Sequence, residues 1–310
     1  MSPSDKPLST ILEAVGHTPI VRLSRIIPKS GASIGLKLES LNPGGSAKDR
    51  IAVALIDAAE REGRLKPGGI IVEATAGNTG IALAMTAAVR GYHAIFYVPD
   101  KMSAEKIGLL KAYGAEVRVV RDVPRSDPEN YQNQARRAAE ELPNAAYMGQ
   151  FEHQANPTAH FQSTGPEIWE QTGGRLVAFV AGAGTGGTIS GIGRYLKQKN
   201  PAVAIVGADP VGSIFTGPYH PFAIEGMGED YYPDTLDPAV VDRWIAVTDA
   251  EAFAMARRLA REEGILVGGS SGAIVVAALQ VAEDYPRDDL VVALAPDTGR
   301  NYLSGFFGQS

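Results

Sequence analysis

No cysteine occurs anywhere in the 310 residues. That absence excludes disulfides, a thiol nucleophile, a cysteine-ligated zinc or iron–sulfur site and a thiolate-ligated haem. No metal site is expected. Excess positive charge is also missing: Lys and Arg total 29 against 35 Asp and Glu, a formal charge of -6. Nucleic acids and anionic membranes are recognised by clustered Lys and Arg, so neither is an expected partner and small-molecule chemistry is favoured. The opening MSPSDKPLST lacks an apolar signal core, and no later run is long and apolar enough to span a bilayer. A cytoplasmic location is the expectation. Internal repeats, low-complexity tracts and Pro-rich linkers are absent too.

What is present is an ordinary globular composition, 45% hydrophobic and 21% charged, with 35 glycines. The length suits two domains or one large α/β unit. Short apolar, β-branched runs alternate with longer amphipathic segments from end to end, which reads as repeated β-α units carrying a mainly parallel sheet. Strands are expected over 70–75, 93–98, 116–120, 177–181, 204–208 and 290–295. Helices are expected over 47–64, 78–90, 104–113, 130–142, 186–199, 250–263 and 271–283. The stretches 121–130 and 211–233 are polar and turn-rich enough to be surface loops, and length alone puts a domain division near residue 150.

In open α/β sheets ligands sit where strands end and helices begin, so glycine-rich strand-to-helix joints are the places to search. The first joint is Asn42-Pro43-Gly44-Gly45-Ser46-Ala47-Lys48-Asp49-Arg50. Here a turn runs into a helix that Ser46 can cap, with Lys48 in the first helical turn. The positive end of the helix dipole disfavours an ammonium there, and partial burial adds to this, so the amine is expected to lose its proton readily. A neutral amine is what Schiff-base chemistry requires. The same residues also read as a capped helix bearing a solvated lysine.

The second joint, Thr75-Ala76-Gly77-Asn78-Thr79-Gly80, follows an apolar strand and opens an Ala-rich helix. Its exposed N–H groups and the hydroxyls of Thr75 and Thr79 suit a carboxylate. A bare asparagine cap is the structural alternative. The third joint is Gly182-Ala183-Gly184-Thr185-Gly186-Gly187-Thr188, where consecutive amides and two threonine hydroxyls make a phosphate cradle. Its competitor is a dinucleotide site, because Gly182, Gly184 and Gly187 satisfy G-x-G-x-x-G and Asp209 follows where a ribose-binding acid would sit. At the fourth joint, Gly268-Gly269-Ser270-Ser271-Gly272, a serine hydroxyl can bond a neutral ring nitrogen or simply cap the helix.

Taken as an ordered set, these residues resemble the cysteine synthase and cystathionine β-synthase family, of the second fold type of pyridoxal-phosphate enzymes. The resemblance covers nearly the whole chain. It includes GHTPIVRL (16–23), NPGGSAKDR, TAGNTG, KMSAEKIGLLKAYGAEV (101–117), Gln150 with Asn156-Pro157, GAGTGGTISG, EGMG (225–228), GGSSG and PDTGRNYL (296–303). It implies an α/β fold of two domains, each a mainly parallel twisted sheet flanked by helices, as in the tryptophan synthase β chain. Residues 36–149 would form the smaller domain, and 1–35 with 150–310 the larger. Lys48 would hold pyridoxal 5'-phosphate as a Schiff base, and Asn78 would contact the 3-oxygen of the ring. Gly184, Thr185, Gly186, Gly187 and Thr188 would hold the phosphate, and Ser270 the pyridine nitrogen. Thr75, Ala76, Gly77, Thr79 and Gln150 would surround the substrate carboxylate, with Gly226 and Gly228 at the mouth of the site.

The chemistry so implied is replacement of the β-substituent of a serine-type amino acid. Freed Lys48 removes the Cα proton, the ring takes the electron pair, and loss of the β-group gives an aminoacrylate to which a sulfur nucleophile adds. A hydroxyl at the ring nitrogen stabilises the pyridinium less than a carboxylate would, which favours fast elimination over transamination. Many relatives carry serine where this chain has Ala76, so the acetylated form of serine, with its better leaving group, suits the site more than serine itself. The stretches 150–169 and 225–232 look more like cystathionine-forming members, which puts homocysteine first as nucleophile and sulfide second. The haem segment and C-terminal regulatory pair of some cystathionine β-synthases are not expected, nor is allosteric control through them. A homodimer is implied by the resemblance. From other classes, an NAD-dependent oxidoreductase resting on the G-x-G-x-x-G spacing and a catalytically silent binding homologue remain as alternatives.

Overall fold

The computed structural model describes residues 7–308 apart from 76, 101, 103 and 124. In chain order, strands β1 (Ile20–Arg22) and β2 (Ser33–Leu38) precede helix α1 (Lys48–Arg61), β3 (Ile70–Ala74) and α2 (Asn78–Arg90). Next come β4 (His93–Pro99), α3 (Ala104–Ala112), β5 (Glu116–Val120), α4 (Tyr131–Glu141) and β6 (Ala145–Tyr147). Helices α5 (Ala155–Gln162) and α6 (Thr164–Thr172) lead to β7 (Leu176–Gly182), α7 (Gly187–Lys199) and β8 (Ala204–Pro210). The chain continues through β9 (Arg243–Val247), α8 (Asp249–Glu262), α9 (Gly269–Ala282) and β10 (Leu290–Ala295). Both turn-rich stretches, 121–130 and 211–233, lie outside these helices and strands.

Two compact units result, one formed by the described residues up to His17 with Asn42–Gly149, the other by Thr18–Leu41 with the described residues from Gln150 onward. The second holds a six-stranded sheet in the order β1-β2-β10-β7-β8-β9, and the first a four-stranded sheet in the order β5-β4-β3-β6. Every pairing is parallel except that of β1 with β2. A domain edge expected at residue 36 would cut β2, which pairs with β10 from Ser33 to Leu38; the chain instead passes between the units at Leu41. The described residues before His17 also belong to the smaller unit, not the larger.

Strands covered on both faces must be apolar on both, and β7 and β10 meet this with LVAFVAG and LVVALA. Alternate side chains serve opposite layers. Val180, Val206, Val291 and Ala293 pack with Ala252 and Leu259 of α8 and with Ile274, Val275 and Ala278 of α9. Phe179, Ile205, Val292 and Leu294 pack with Ile168 of α6 and with Ile189, Ile192 and Leu196 of α7. In the smaller unit Val72, Ala74, Ile95 and Tyr97 meet Ala135 and Ala138 of α4. Among the described residues no helix is long and apolar enough to cross a membrane.

Helix α1 ends at Arg61, three residues before the expected end, because Gly63 takes a positive φ of 72° and Arg64 N–H turns back to Ala59 O. Strands β1, β2, β6 and β9 and helices α5 and α6 went unread in the sequence. For β2 the reason is Lys37 inside SIGLKL, a charge where a buried strand should be apolar. The lysine is fully buried, and its Nζ donates to Thr18 O at 2.6 Å, Glu167 Oε2 at 2.6 Å and Gln171 Oε1 at 3.0 Å. Those three acceptors fill the ammonium's donors. Lys37→Ala leaves the Glu167 carboxylate facing a cavity and is expected to cost about 3–5 kcal/mol in urea unfolding, whereas the Lys37→Met, Glu167→Leu pair recovers most of the loss.

Candidate active site

In the smaller unit the turn before α1 is built by side chains reaching back to backbone. Asn42 Nδ2 donates to Ser46 O at 3.1 Å, while its Oδ1 accepts from Gly16 N–H at 2.8 Å. Gly45 has a positive φ of 86°, and a Cβ on Gly44 would lie 2.5 Å from Asp49 Oδ1, so both glycines are required by the geometry. Ser46 Oγ accepts from Lys48 N–H at 3.2 Å. Ser46 is nevertheless not the cap expected of it: the N-cap is Ala47 in helical conformation, and no side chain caps α1. Lys48 is the first residue of the helix and is half-buried, with Ser46 and Asp49 buried on either side.

The second joint lies in the same unit, between β3 and α2. Gly77 is the N-cap of α2 and no side chain caps the helix, so Asn78 stands at its first position and is not the cap. Thr75 and Thr79 are buried at the helix mouth, and Thr75 Oγ1 accepts a long bond, 3.4 Å, from Gly77 N–H. A Cβ on Gly80 would press on Leu110 at 2.9 Å and Thr75 at 3.1 Å, which explains the glycine by packing. Ala76 lies outside the described residues.

The third joint, in the larger unit, connects β7 to α7 at the carboxyl end of the sheet. Gly186 adopts a left-handed φ of 78°, and Gly187 opens the helix. A Cβ at Gly187 would come within 2.0 Å of Asn156 Oδ1, and one at Gly184 within 2.9 Å of Gly226 O. The glycines are therefore places where other chain segments close on the loop, beneath a helix N-terminus that favours an anion.

Asn156, with two side chains that went unread in the sequence, His160 and Thr235, supports that loop. Asn156 Nδ2 donates to Thr185 Oγ1 at 2.9 Å and to Gln150 O at 2.8 Å. Thr185 Oγ1 also accepts from Gly187 N–H at 3.4 Å, which leaves its own proton to donate elsewhere. Thr235 Oγ1 donates to Thr185 O. Buried His160 stands with Nε2 at 3.1 Å from Thr188 Oγ1 and Nδ1 at 2.9 Å from Thr164 Oγ1. If Nε2 carries the proton, Thr188 accepts it and keeps its hydroxyl hydrogen for a ligand; an anion in the loop selects that tautomer. The motif Asn156-Pro157 was the one sequence signal near this layer.

Gln150 is buried beside Asn156, and Gly228 N–H donates to Ala183 O at 2.7 Å, so Gly226 and Gly228 lie against the loop. At the fourth joint Gly268 is the N-cap of α9 and no side chain caps it; buried Ser270 is the second helical residue, its hydroxyl not taken up by capping. Gly268 N–H meets Asp297 O just past β10, the strand next to β7. Ser270 and the Gly184–Thr188 turn thus share the carboxyl edge of one sheet. Asp209 lies at the same edge, at the end of β8, but it is fully buried and its Oδ2 is taken by Thr216 Oγ1 at 2.8 Å, so it is not open to a ribose. The structure places Lys48, Thr75, Gly77, Asn78 and Thr79 in the smaller unit, and Gln150, Gly184–Thr188, Gly226, Gly228 and Ser270 in the larger.

Comparison with known proteins adds names to this geometry. The family model of the pyridoxal-phosphate dependent enzymes matches residues 11–297. Cystathionine beta-synthase of Apis mellifera is 46% identical over 98% of this chain and 62% of that protein. Cysteine synthase of Staphylococcus aureus is 44% identical over 97% of each. The crystal structure of an O-ureido-L-serine synthase superposes with a TM-score of 0.93 at 40% identity, covering 98% of this chain and 96% of that one. The chain spans less than two thirds of the cystathionine beta-synthase it matches. On these matches and on the parallel α/β architecture that carries them, the chain belongs to the pyridoxal-phosphate dependent enzyme family, among the relatives of cystathionine beta-synthase and cysteine synthase.

Proposed function

We propose that the chain catalyses pyridoxal-phosphate-dependent β-replacement on a serine-type amino acid, with Lys48 as the Schiff-base lysine. The observation that carries this reading is the turn at Gly184–Thr188: a Cβ at Gly187 has no room, Gly186 is left-handed, and Thr185 Oγ1 accepts from Asn156 and Gly187, which leaves its own proton to donate. Such a turn fits a phosphate. An uncapped serine hydroxyl on the same sheet edge fits a ring nitrogen, so the residues suit this cofactor. Family membership and the buried, inward position of Asp209 both speak against the dinucleotide alternative.

Bound there, the cofactor supplies an electron sink for the bonds broken at Cα and Cβ. Gly184, Thr185, Gly186, Gly187 and Thr188 would hold its phosphate, Ser270 would offer its ring nitrogen a neutral hydroxyl, and Asn78 would orient the 3-oxygen. Thr75, Gly77 and Thr79 at the mouth of α2, with Gln150, bind the substrate carboxylate, and Gly226 and Gly228 edge the entrance. Lys48 would hold the cofactor and would remove and later return the Cα proton. Ala76 offers no hydroxyl to help a leaving group, which favours O-acetylserine over serine. Homocysteine is the first choice of nucleophile, by the cystathionine-synthase character of 150–169 and 225–232. Sulfide is the second reading, favoured by the match to a cysteine synthase over nearly that enzyme's full length. The working form is a homodimer.

Serine, O-acetylserine and O-phosphoserine, each offered homocysteine or sulfide, separate these readings by product analysis. Cystathionine from O-acetylserine and homocysteine is the expected outcome, with the borohydride-fixed cofactor mapping to Lys48. No product from any of the six pairs, or a label on another lysine, overturns the proposal.

A further inference from the structure

Asp209, at the end of the strand beside the phosphate turn, is an acidic residue that the proposed chemistry leaves without a task. It lies at the end of β8, fully buried; Oδ2 accepts from Thr216, and Oδ1 is buried with no hydrogen-bond partner among the described residues. A chain of contacts leads from it to the rim of the site. Ser213 N–H turns back to Pro210 O at 3.0 Å, Thr216 N–H meets Ser213 O at 3.4 Å, and Ser213 Oγ accepts from Glu229 N–H at 3.2 Å, so the turn tied to the carboxylate by Thr216 also carries the strap. Ile214 N–H meets Glu229 O at 3.1 Å, Gly228 N–H meets Ala183 O, and a Cβ on Gly182 would touch Met227 at 3.0 Å. The strap from Gly226 to Glu229 therefore rests on the phosphate turn at one side and on the Ser213–Thr216 turn at the other.

We propose that Asp209 is a positioning residue that holds the Gly226–Glu229 rim against the Gly184–Thr188 turn through Ser213 and Thr216, and releases it when protonated. The inference deepens the functional reading, since the rim it positions is the entrance assigned there. Burial pushes this carboxyl up to about 6, against the opposing pull of the Thr216 and Ser213 hydroxyls and the Thr216 N–H. No charged side chain is among the groups that set it. Its neighbour in register on β9 is Ala246, and Ala208 beside it faces Gly182 of β7. The charged group on the strap is Glu229, whose Oε1 lies 3.6 Å from a Cβ position on Gly184. Ionised, the carboxylate accepts strongly from the Thr216 hydroxyl; protonated, it weakens that hold.

The sign of the accompanying stability term is opposite to that of the rim's order. A carboxyl raised by burial contributes stability that is full below its ordinary pKa and is lost as the pH rises through about 6. Asp209→Asn removes this loss, so its melting temperature relative to the parent rises between pH 5 and pH 7.5, while the rim becomes looser at pH 7.5. A residue that merely fills the core would move both in the same direction.

Hydrogen exchange of the cofactor-loaded protein, read by mass spectrometry over residues 211–230 and corrected for intrinsic rates, tests this. Protection of the 226–229 amides in the parent is expected to fall about tenfold from pH 7.5 to pH 5, and in Asp209→Asn to be low and flat, as expected for losing a charge-assisted hydrogen bond. With the substrate pair that turns over, Asp209→Asn raises KM about fivefold at pH 7.5 and leaves kcat within about twofold, roughly the loss of uniform binding by one weakened contact. Thr216→Val removes one group that lowers the carboxyl, so its exchange transition moves above that of the parent; this keeps the test open if Asp209→Asn does not fold. Protection that does not change with pH in the parent, or that survives in Asp209→Asn, overturns the inference. A protein that shows the exchange transition but turns over no serine derivative supports the rim mechanism and overturns the functional reading instead.

Discussion

Lys48→Ala is expected to lower turnover by about 10²- to 10⁴-fold, the range set by removing a positioned proton carrier. Two roles end together. On the proposed reading the side chain both anchors the cofactor and takes and returns the Cα proton, so neither a tighter substrate nor a better nucleophile restores the rate. The fold should be indifferent: Lys48 is half-buried at the first position of α1, where Ser46 Oγ receives its backbone N–H and not its side chain, and Ala is the best helix former. Lys48→Arg keeps the charge and length but cannot become neutral, so it is expected to be as inactive as the alanine variant. Borohydride reduction followed by peptide mapping, together with single-turnover rates, checks both variants. Turnover within tenfold of the parent in Lys48→Ala removes Lys48 from the chemistry.

The second large effect is expected at Gly187. The added Cβ of Gly187→Ala would lie 2.0 Å from Asn156 Oδ1 and 2.4 Å from its Cγ, both inside any tolerable contact. Asn156 is itself 1% exposed and has no room to retreat. If it moves, it takes with it the bonds to Thr185 Oγ1 and Gln150 O, and the loop loses a contact that leaves the Thr185 proton to donate. Overpacking of this kind costs about 1–3 kcal/mol in stability. The loss of one oriented donor and the shift of several amides should weaken cofactor binding by about 10²-fold, near 3 kcal/mol. Equilibrium dialysis against pyridoxal phosphate and thermal unfolding with and without it measure the two effects. Adding Asn156→Ala should relieve the clash without restoring the Thr185 orientation, so stability recovers and affinity does not; full recovery of both would show that the hydroxyl is not used.

The joints themselves were legible because each is local. A run of small and hydroxyl residues between an apolar strand and an amphipathic helix states its own geometry, and the structure ends β7 at Gly182 and starts α7 at Gly187, within a residue of the expected bounds. The alternating β-α pattern likewise gave parallel sheets. Short edge elements were not legible: β1 and β6 have three residues each, too few to show a period, and β9 carries Arg243 and Trp244 at its exposed start.

Position in three dimensions settled the rest. Whether Ser270 caps α9 depends on which residue holds the cap geometry, and that residue is Gly268. Whether Asp209 meets a ribose depends on which way a side chain faces at the end of β8, and it faces inward to Thr216. Asn156, His160 and Thr235 support a loop that lies 29, 28 and 50 residues further along or back in the chain. Sequence alone determined the sheet class and the glycine-rich sites, because backbone conformation and hydrophobic period are written in neighbouring residues. Only the tertiary structure decided which buried polar groups pair across the fold, because burial forces each donor and acceptor to find a partner that chain distance does not announce.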